Sequence, residues 1–297
     1  MMDSELKNVS TDYYSLKLSS QQFDKISRLA YQISGIDLHE GKEELVKSRL
    51  LKRLRHLNIP GFDRYLKYLV NDKSGTELRA MVDVLTTNKT HFFRESEHLD
   101  FLRDEIVPGL GNGPVRIWSA GCSSGEEPYS IAITLCEAIP DMGNYDIKIL
   151  ATDISDRMME RAHQGVYDEG SLTGLSSQLK HKYFESVKTG SIRQYRVCPR
   201  LQSLVRFAKL NLMEEWPMRG PFEAIFCRNV MIYFDKPTQE NLVKRFWSLL
   251  REGGYLLVGH SESLTFMTHD YHYMKPAVYQ KIKKNSIQRK PVGSKGK

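Results

Sequence analysis

The spacing of apolar positions changes once along the chain, near residue 87. Before that point hydrophobic residues recur every three or four positions. Phe23, Ile26, Ala30 and Ile33 follow a capping serine at Ser19 or Ser20, and Gly35 ends the run. A second helix is predicted from about Glu43 to Leu57, with Val46, Leu50, Leu54 and Leu57 on one stripe. Arg49, Lys52 and His56 point away from that stripe and Arg53 lies on its flank, which predicts one basic outward face. Two shorter helical patterns, Asp63 to Val70 and Thr76 to Leu85, are separated by the breaker run NDKSG. The expectation for 1–87 is a small all-helical domain.

After TTNKTHFFRE and a helix predicted around Glu97 to Ile106, short apolar strands alternate with helices. The strands read VRIWS, IKILATD, LVRFAKLNL, FEAIFC and GYLLVGH; the helices read Tyr129 to Ala138, Asp156 to Ala162 and Thr238 to Leu250. This alternation predicts an open α/β sheet with helices on both faces over 88–284. Tyr271 to Ile282 follows without a helix and is expected to form an antiparallel edge hairpin. Residues 179–201 read as an inserted, β-rich flap.

A chain of 297 residues is long enough for two domains. It contains no run of about 18 apolar residues, and MMDSELKNVSTDYY lacks the pattern of a signal peptide, so a cytoplasmic protein without direct membrane insertion is expected. Cys122, Cys136, Cys198 and Cys227 form no C-x-x-C pair, which argues against a disulfide framework and a structural zinc, and no metal site is assigned. The formal charge of +7 first suggests nucleic acid, but it sits at one end. The segment from Lys281 holds seven basic residues and no acid, leaving 36 basic against 36 acidic residues in the rest. The body is formally neutral, no nucleic-acid partner is expected, and 285–297 reads as a basic disordered tail.

The segment VRIWSAGCSSGEEPYSIAITL places a glycine loop between a strand and an apolar helix. Its spacing fits neither G-x-G-x-x-G nor the P-loop. Glu126 and Glu127 put negative charge where a pyrophosphate would dock, so a cofactor with a cationic group fits better than ATP or NAD. Asp153 ends the next strand, where an acid accepts ribose hydroxyls or serves as a turn residue. Asn211, Arg228 and Asn229 also fall at strand ends; each asparagine has an Asx-turn as its alternative role. Cys122 in the loop has no neighbour that marks it as a nucleophile, so packing is its expected role.

NKTHFFRE, WSAGCSSGEEPYSIA, ATDIS, CRNVMIYFD and GHSESL, in this order, resemble the chemotaxis receptor glutamate methyltransferases, the CheR family. The resemblance covers the chain from about Leu18 to Ile282. It implies a class I S-adenosylmethionine-dependent methyltransferase (Rossmann-like) sheet carrying the N-terminal helical domain and the flap. It further implies that Asn88, Thr90, Arg94, Glu127, Asp153, Asn211, Leu212, Arg228 and Asn229 line the S-adenosylmethionine site, with Arg94 and Tyr233 nearest the transferable methyl.

The implied reaction moves a methyl group to glutamate carboxylates of chemotaxis-type receptors, giving methyl esters and S-adenosylhomocysteine. The partner implied is an acidic, helical cytoplasmic region of a methyl-accepting receptor, met by Arg49, Lys52, Arg53 and His56 of a monomeric enzyme. Members that also dock on a receptor's C-terminal pentapeptide carry a glycine-containing flap loop; here Gly190 is followed by Ile192 and Arg193. Two other readings are a noncatalytic S-adenosylhomocysteine-binding adaptor and a nucleic-acid methyltransferase. The neutral body and the absence of a Pro-Pro-aromatic motif weigh against the latter.

Overall fold

The computed structural model describes residues 13, 15–111, 113–189 and 192–282. The chain divides into two compact units, Met1–Thr87 and Asn88–Lys297. The basic tail expected over 285–297 and the flap's Gly190 lie outside the described residues.

The first unit contains α1 (Ser20–Ser34), α2 (Glu43–His56), α3 (Phe62–Asn71) and α4 (Thr76–Leu85). Ser19 is the cap of α1, forming a capping box with Gln22, and Gly35 ends the helix in the left-handed conformation. Phe23, Ile26, Val46, Leu50, Leu54, Tyr65, Leu69 and Met81 meet in one core. Within it Glu77 is buried, and it is held by Arg53 Nε at 3.0 Å and the Tyr65 hydroxyl at 2.8 Å. A buried carboxylate needs such partners, so Arg53 serves as an internal tie between α2 and α4. Arg49 donates to the Leu85 carbonyl and the Thr87 hydroxyl, satisfying the end of α4. The basic face expected on α2 is thereby corrected: Arg49 and Arg53 are half-buried and engaged, whereas Lys52 and His56 are exposed.

The second unit opens with α5 (Glu97–Phe101), which widens into a π-helical turn, Leu102–Ile106, where a continuous α-helix was expected. It continues β1 (Val115–Ala120), α6 (Glu126–Ala138), β2 (Ile147–Asp153), α7 (Asp156–Gln164), β3 (Val166–Asp168), α8 (Ser177–Tyr183), β4 (Phe184–Thr189) and β5 (Ile192–Val197). The remainder is α9 (Pro199–Gln202), β6 (Val205–Lys209), β7 (Phe222–Cys227), α10 (Lys236–Leu249), β8 (Leu250–Val258), β9 (His272–Lys275) and β10 (Val278–Gln280).

Seven strands form one sheet in the order β6-β2-β1-β7-β8-β10-β9. Those from β6 to β8 are parallel, and β10 and β9 add the expected antiparallel edge. Strand order reverses at β1, the switch point at which open sheets bind ligands beyond the strands' carboxyl ends. The insertion is a three-stranded sheet, β3-β5-β4. It therefore begins upstream of residue 179, and α8 occupies its centre.

Ten of the thirteen residues of α6 are buried. A helix apolar on all sides must be covered on all sides. The core around α6 joins β1 and β2 to residues of the insertion (Tyr167, Tyr183, Phe184, Tyr195) and to Phe92, Leu99 and Leu102. This packing fixes the start of α6, and with it the glycine loop, against the sheet. No helix among the described residues is long and apolar enough to cross a membrane.

Candidate active site

The carboxyl ends of β1, β2 and β7 carry a polar network in an otherwise apolar setting. After β1 the chain turns through Gly121, whose φ is +85°, and the amides of Gly121 and Cys122 donate to the Thr152 carbonyl at 2.8 and 2.9 Å. Asp153, at the end of β2, is buried; its carboxylate accepts the Ser123 amide at 2.8 Å and the Ser155 amide at 2.9 Å. Asp153 is thus a turn residue that also ties the glycine loop to β2. Ser123 continues the chain of contacts, its hydroxyl donating to the Asn88 carbonyl at 3.1 Å.

Arg228, at the end of β7, is the hub. It is 6% exposed and donates to Glu127 at 3.0 Å, to Glu95 at 3.1 Å and to the Arg94 carbonyl. Its Nε is buried without a hydrogen-bond partner. Ser119 donates to the other Glu127 oxygen at 2.7 Å, and Asn229 Nδ2 donates to Glu95 at 3.2 Å. Burial pushes the Glu127 carboxyl above the usual range, against the pull of Arg228 and the Ser119 hydroxyl. Burial acts the same way on Glu95, but Arg228 and Asn229 outweigh it and hold that carboxyl below its ordinary value. Glu126 does not join this network. It is buried behind the Ser124 hydroxyl at 2.7 Å, and burial raises its carboxyl.

Glu262 completes the arrangement from the turn after β8. Its buried carboxylate accepts the amides of Gly259 at 2.6 Å, Asn229 at 2.7 Å and Ile232 at 3.1 Å, and so fixes the segment from Asn229 to the single-turn helix Met231–Tyr233. Burial raises this carboxyl, while the amides it accepts oppose the rise. Four non-glycine residues with positive φ surround the network: Phe93 (57°), Glu95 (50°), Ser123 (49°) and Asn229 (59°). Such backbone costs about 1–3 kcal/mol per residue and persists only where its surroundings enforce it, as at functional sites.

Of the expected residues, Arg94, Glu127, Arg228 and Asn229 come together, as do Asn88 and Asp153 through Ser123. Arg94 is half-buried, its guanidinium donating to the Lys89 carbonyl at 2.7 Å; Thr90 and Tyr233 are also half-buried. Asn211 makes the Asx-turn anticipated as its alternative, accepting the Met213 amide at 3.1 Å, and Leu212 is buried in the core on the β7–α10 side. Cys122 is buried against Met159, and burial pushes its thiol well up, as a packing role requires. Glu95 and Glu262 were passed over in the sequence. Both stand inside motifs that carry the family resemblance, NKTHFFRE and GHSESL, and that position is their signal in the sequence.

Three carboxylates, Glu95, Glu127 and Asp153, stand along this edge with one buried guanidinium. That charge balance fits a cofactor bearing an ammonium, a sulfonium and a ribose, and it disfavours a pyrophosphate. Sheet order, glycine loop and acidic strand end define the class as a Rossmann-like S-adenosylmethionine-dependent methyltransferase. Residues 88–279 match the family model described as CheR methyltransferase, SAM binding domain, and residues 21–86 match CheR methyltransferase, all-alpha domain. The chain belongs to the CheR methyltransferase family, and S-adenosylmethionine is its cofactor.

Among its relatives is a Rhizobium etli protein described as "Probable chemotaxis protein methyltransferase", 44% identical over 80% of this chain and 90% of its own length. The chemotaxis protein methyltransferase of Borreliella burgdorferi is 40% identical over 90% of this chain and 96% of that protein. That of Escherichia coli is 40% identical over 89% and 92%.

Proposed function

We propose that this protein transfers a methyl group from S-adenosylmethionine to glutamate side-chain carboxylates of chemotaxis-type receptors. The observation that carries the reading is the Glu127–Arg228–Glu95 cluster, whose excess negative charge at the switch point suits a cationic methyl donor. The relatives' chemotaxis names support the pathway. In this reading Glu127 receives the ammonium, Asp153 the ribose, and Asn88, Thr90, Asn211, Leu212, Arg228 and Asn229 form the remaining walls.

When bound, the cofactor supplies an electrophilic methyl on a sulfonium. A glutamate side chain with a pKa near 4.3 is already anionic at neutral pH, so the protein needs no general base. Its residues have to align the nucleophile, and such positioning accounts for roughly 7–11 kcal/mol in favourable systems. Arg94 and Tyr233 orient the incoming carboxylate. Incubating receptor fragments with radiolabelled S-adenosylmethionine is expected to give an alkali-labile methyl ester. Arg94→Ala or Tyr233→Phe should slow it at least tenfold, a loss of about 1.4 kcal/mol of transition-state stabilisation. Label stable to alkali, or confined to nucleic acid, would overturn the assignment.

The helical unit recognises the receptor in the same reading, through what α2 leaves exposed. Arg49 and Arg53 are already bound to Leu85 and Glu77, so Lys52 and His56 carry the contact with an acidic helix. Lys52→Glu with His56→Glu should lower receptor methylation severalfold and leave S-adenosylhomocysteine affinity unchanged in calorimetry. Unaltered methylation would remove α2 as the docking face.

A further inference from the structure

We infer that Glu95, His98 and His260 form a binding site for a first-row divalent cation of the zinc class, next to the Arg228 hub. Their three ligand atoms lie within 4.8 Å of one another. The His98 ring is 1% exposed, and neither of its nitrogens has a hydrogen-bond partner. A buried imidazole with both nitrogens unsatisfied is costly and rare in a folded protein, and here it stands 3.6 Å from a Glu95 oxygen. His260 closes the cluster, its ring centroid 5.1 Å from that of His98, and its exposure opens the cluster to solvent.

The donor set selects the ion. Two imidazoles and one carboxylate suit zinc, cobalt or nickel better than magnesium or calcium, which prefer all-oxygen shells, and three protein ligands leave a position for water. Ligation uses a neutral imidazole, and the buried His98 ring holds both nitrogens without a competing protein hydrogen bond. Glu95 is already oriented by Arg228 and Asn229, the kind of outer support that ligating carboxylates have in metal sites. The positive charge of Arg228 opposes the cation and lowers its affinity. It also links the two sites, because an ion on Glu95 competes with Arg228 for the same carboxylate.

That link rests on the proposed cofactor site; the metal site does not. Cobalt(II) added to the metal-free full chain is expected to give visible d–d bands. These should be lost, or the affinity lowered at least about tenfold, in His260→Ala, since even outer-shell partners are worth about 10–100-fold. They should persist in His272→Ala, where an exposed histidine on β9 is removed instead. Bands that survive His260→Ala unchanged, or that never form in the wild type, overturn the site. S-adenosylhomocysteine calorimetry on the metal-free wild type keeps the two ideas apart. No binding there removes the cofactor reading and leaves the cobalt result standing, whereas normal binding without cobalt bands removes the metal site alone.

Discussion

Arg228→Met will cost about 3–5 kcal/mol of stability at neutral pH and lower S-adenosylhomocysteine affinity at least a hundredfold, about 2.7 kcal/mol. The side chain is 3% exposed and pairs with Glu95 and Glu127, whose side chains are 15% and 14% exposed. Methionine fills much of its volume but strands two carboxylates with only Asn229 and Ser119 as donors. The pH dependence identifies the cause. Without the guanidinium, burial is opposed only by the Ser119 and Asn229 hydrogen bonds and raises the folded pKa values of both carboxyls above the unfolded ones. A raised carboxyl contributes stability that is present below the unfolded value and lost as pH rises through the folded one, so the variant recovers on acidification. In the wild type the lowered Glu95 contributes in the opposite sense, its share being present above the unfolded value and lost as pH falls through the folded one. That loss lies below pH 5, so between pH 8 and pH 5 the two stability curves converge in urea titrations through the variant's raised carboxyls. A deficit equal at both ends would show that the lost stability is not electrostatic. Adding Glu95→Gln and Glu127→Gln should restore much of the stability while leaving binding lost, which separates the cluster's folding cost from its use.

That network also marks where sequence reading stops. The strands β1, β2 and β7 were legible to within a residue because each is a short, mainly apolar and largely buried run bounded by turn residues. The three-residue β3 was not, because so short a strand has no periodicity and exists only through its pairing with β5. The π turn at Leu102–Ile106 keeps an apolar spacing that an ordinary helix also satisfies. The site residues divide along the same line. Glu127 and Asp153 follow from local grammar, a glycine loop and a strand end. Glu95 meets Arg228 across 133 residues, and Arg53 meets Glu77 across 24, so no local pattern says which charges are spent internally. The histidines of the proposed metal site belong to the same category, brought together only by the packing of α5 against the end of β8.

Gly121→Ala should cost about 2–5 kcal/mol and weaken S-adenosylhomocysteine binding at least tenfold, although it adds a single methyl group. Two independent terms make up the loss. At φ +85° the backbone is in a region where an L-residue costs about 1–2 kcal/mol more than glycine. The new Cβ would also overlap the Val230 Cγ2 methyl, and such overpacking costs typically 1–3 kcal/mol. Relief requires the glycine loop and the Arg228–Val230 segment to move apart, yet the loop is pinned to Thr152 and Asp153 while Asn229 is pinned to Glu262. The strain therefore falls on the groups proposed to hold the cofactor. Val230→Ala in the same chain removes the overlap but not the dihedral cost. The double variant should regain about 1–3 kcal/mol relative to the sum of the single changes, a coupling within the range expected of residues in contact. Gly143→Ala is the matched control, since a Cβ there meets nothing within 4 Å and its φ lies outside the left-handed range; it should leave both stability and binding within experimental error. Strict additivity of Gly121→Ala and Val230→Ala would mean that the loop yields freely, and the close approach of the two segments would then not be what shapes the site.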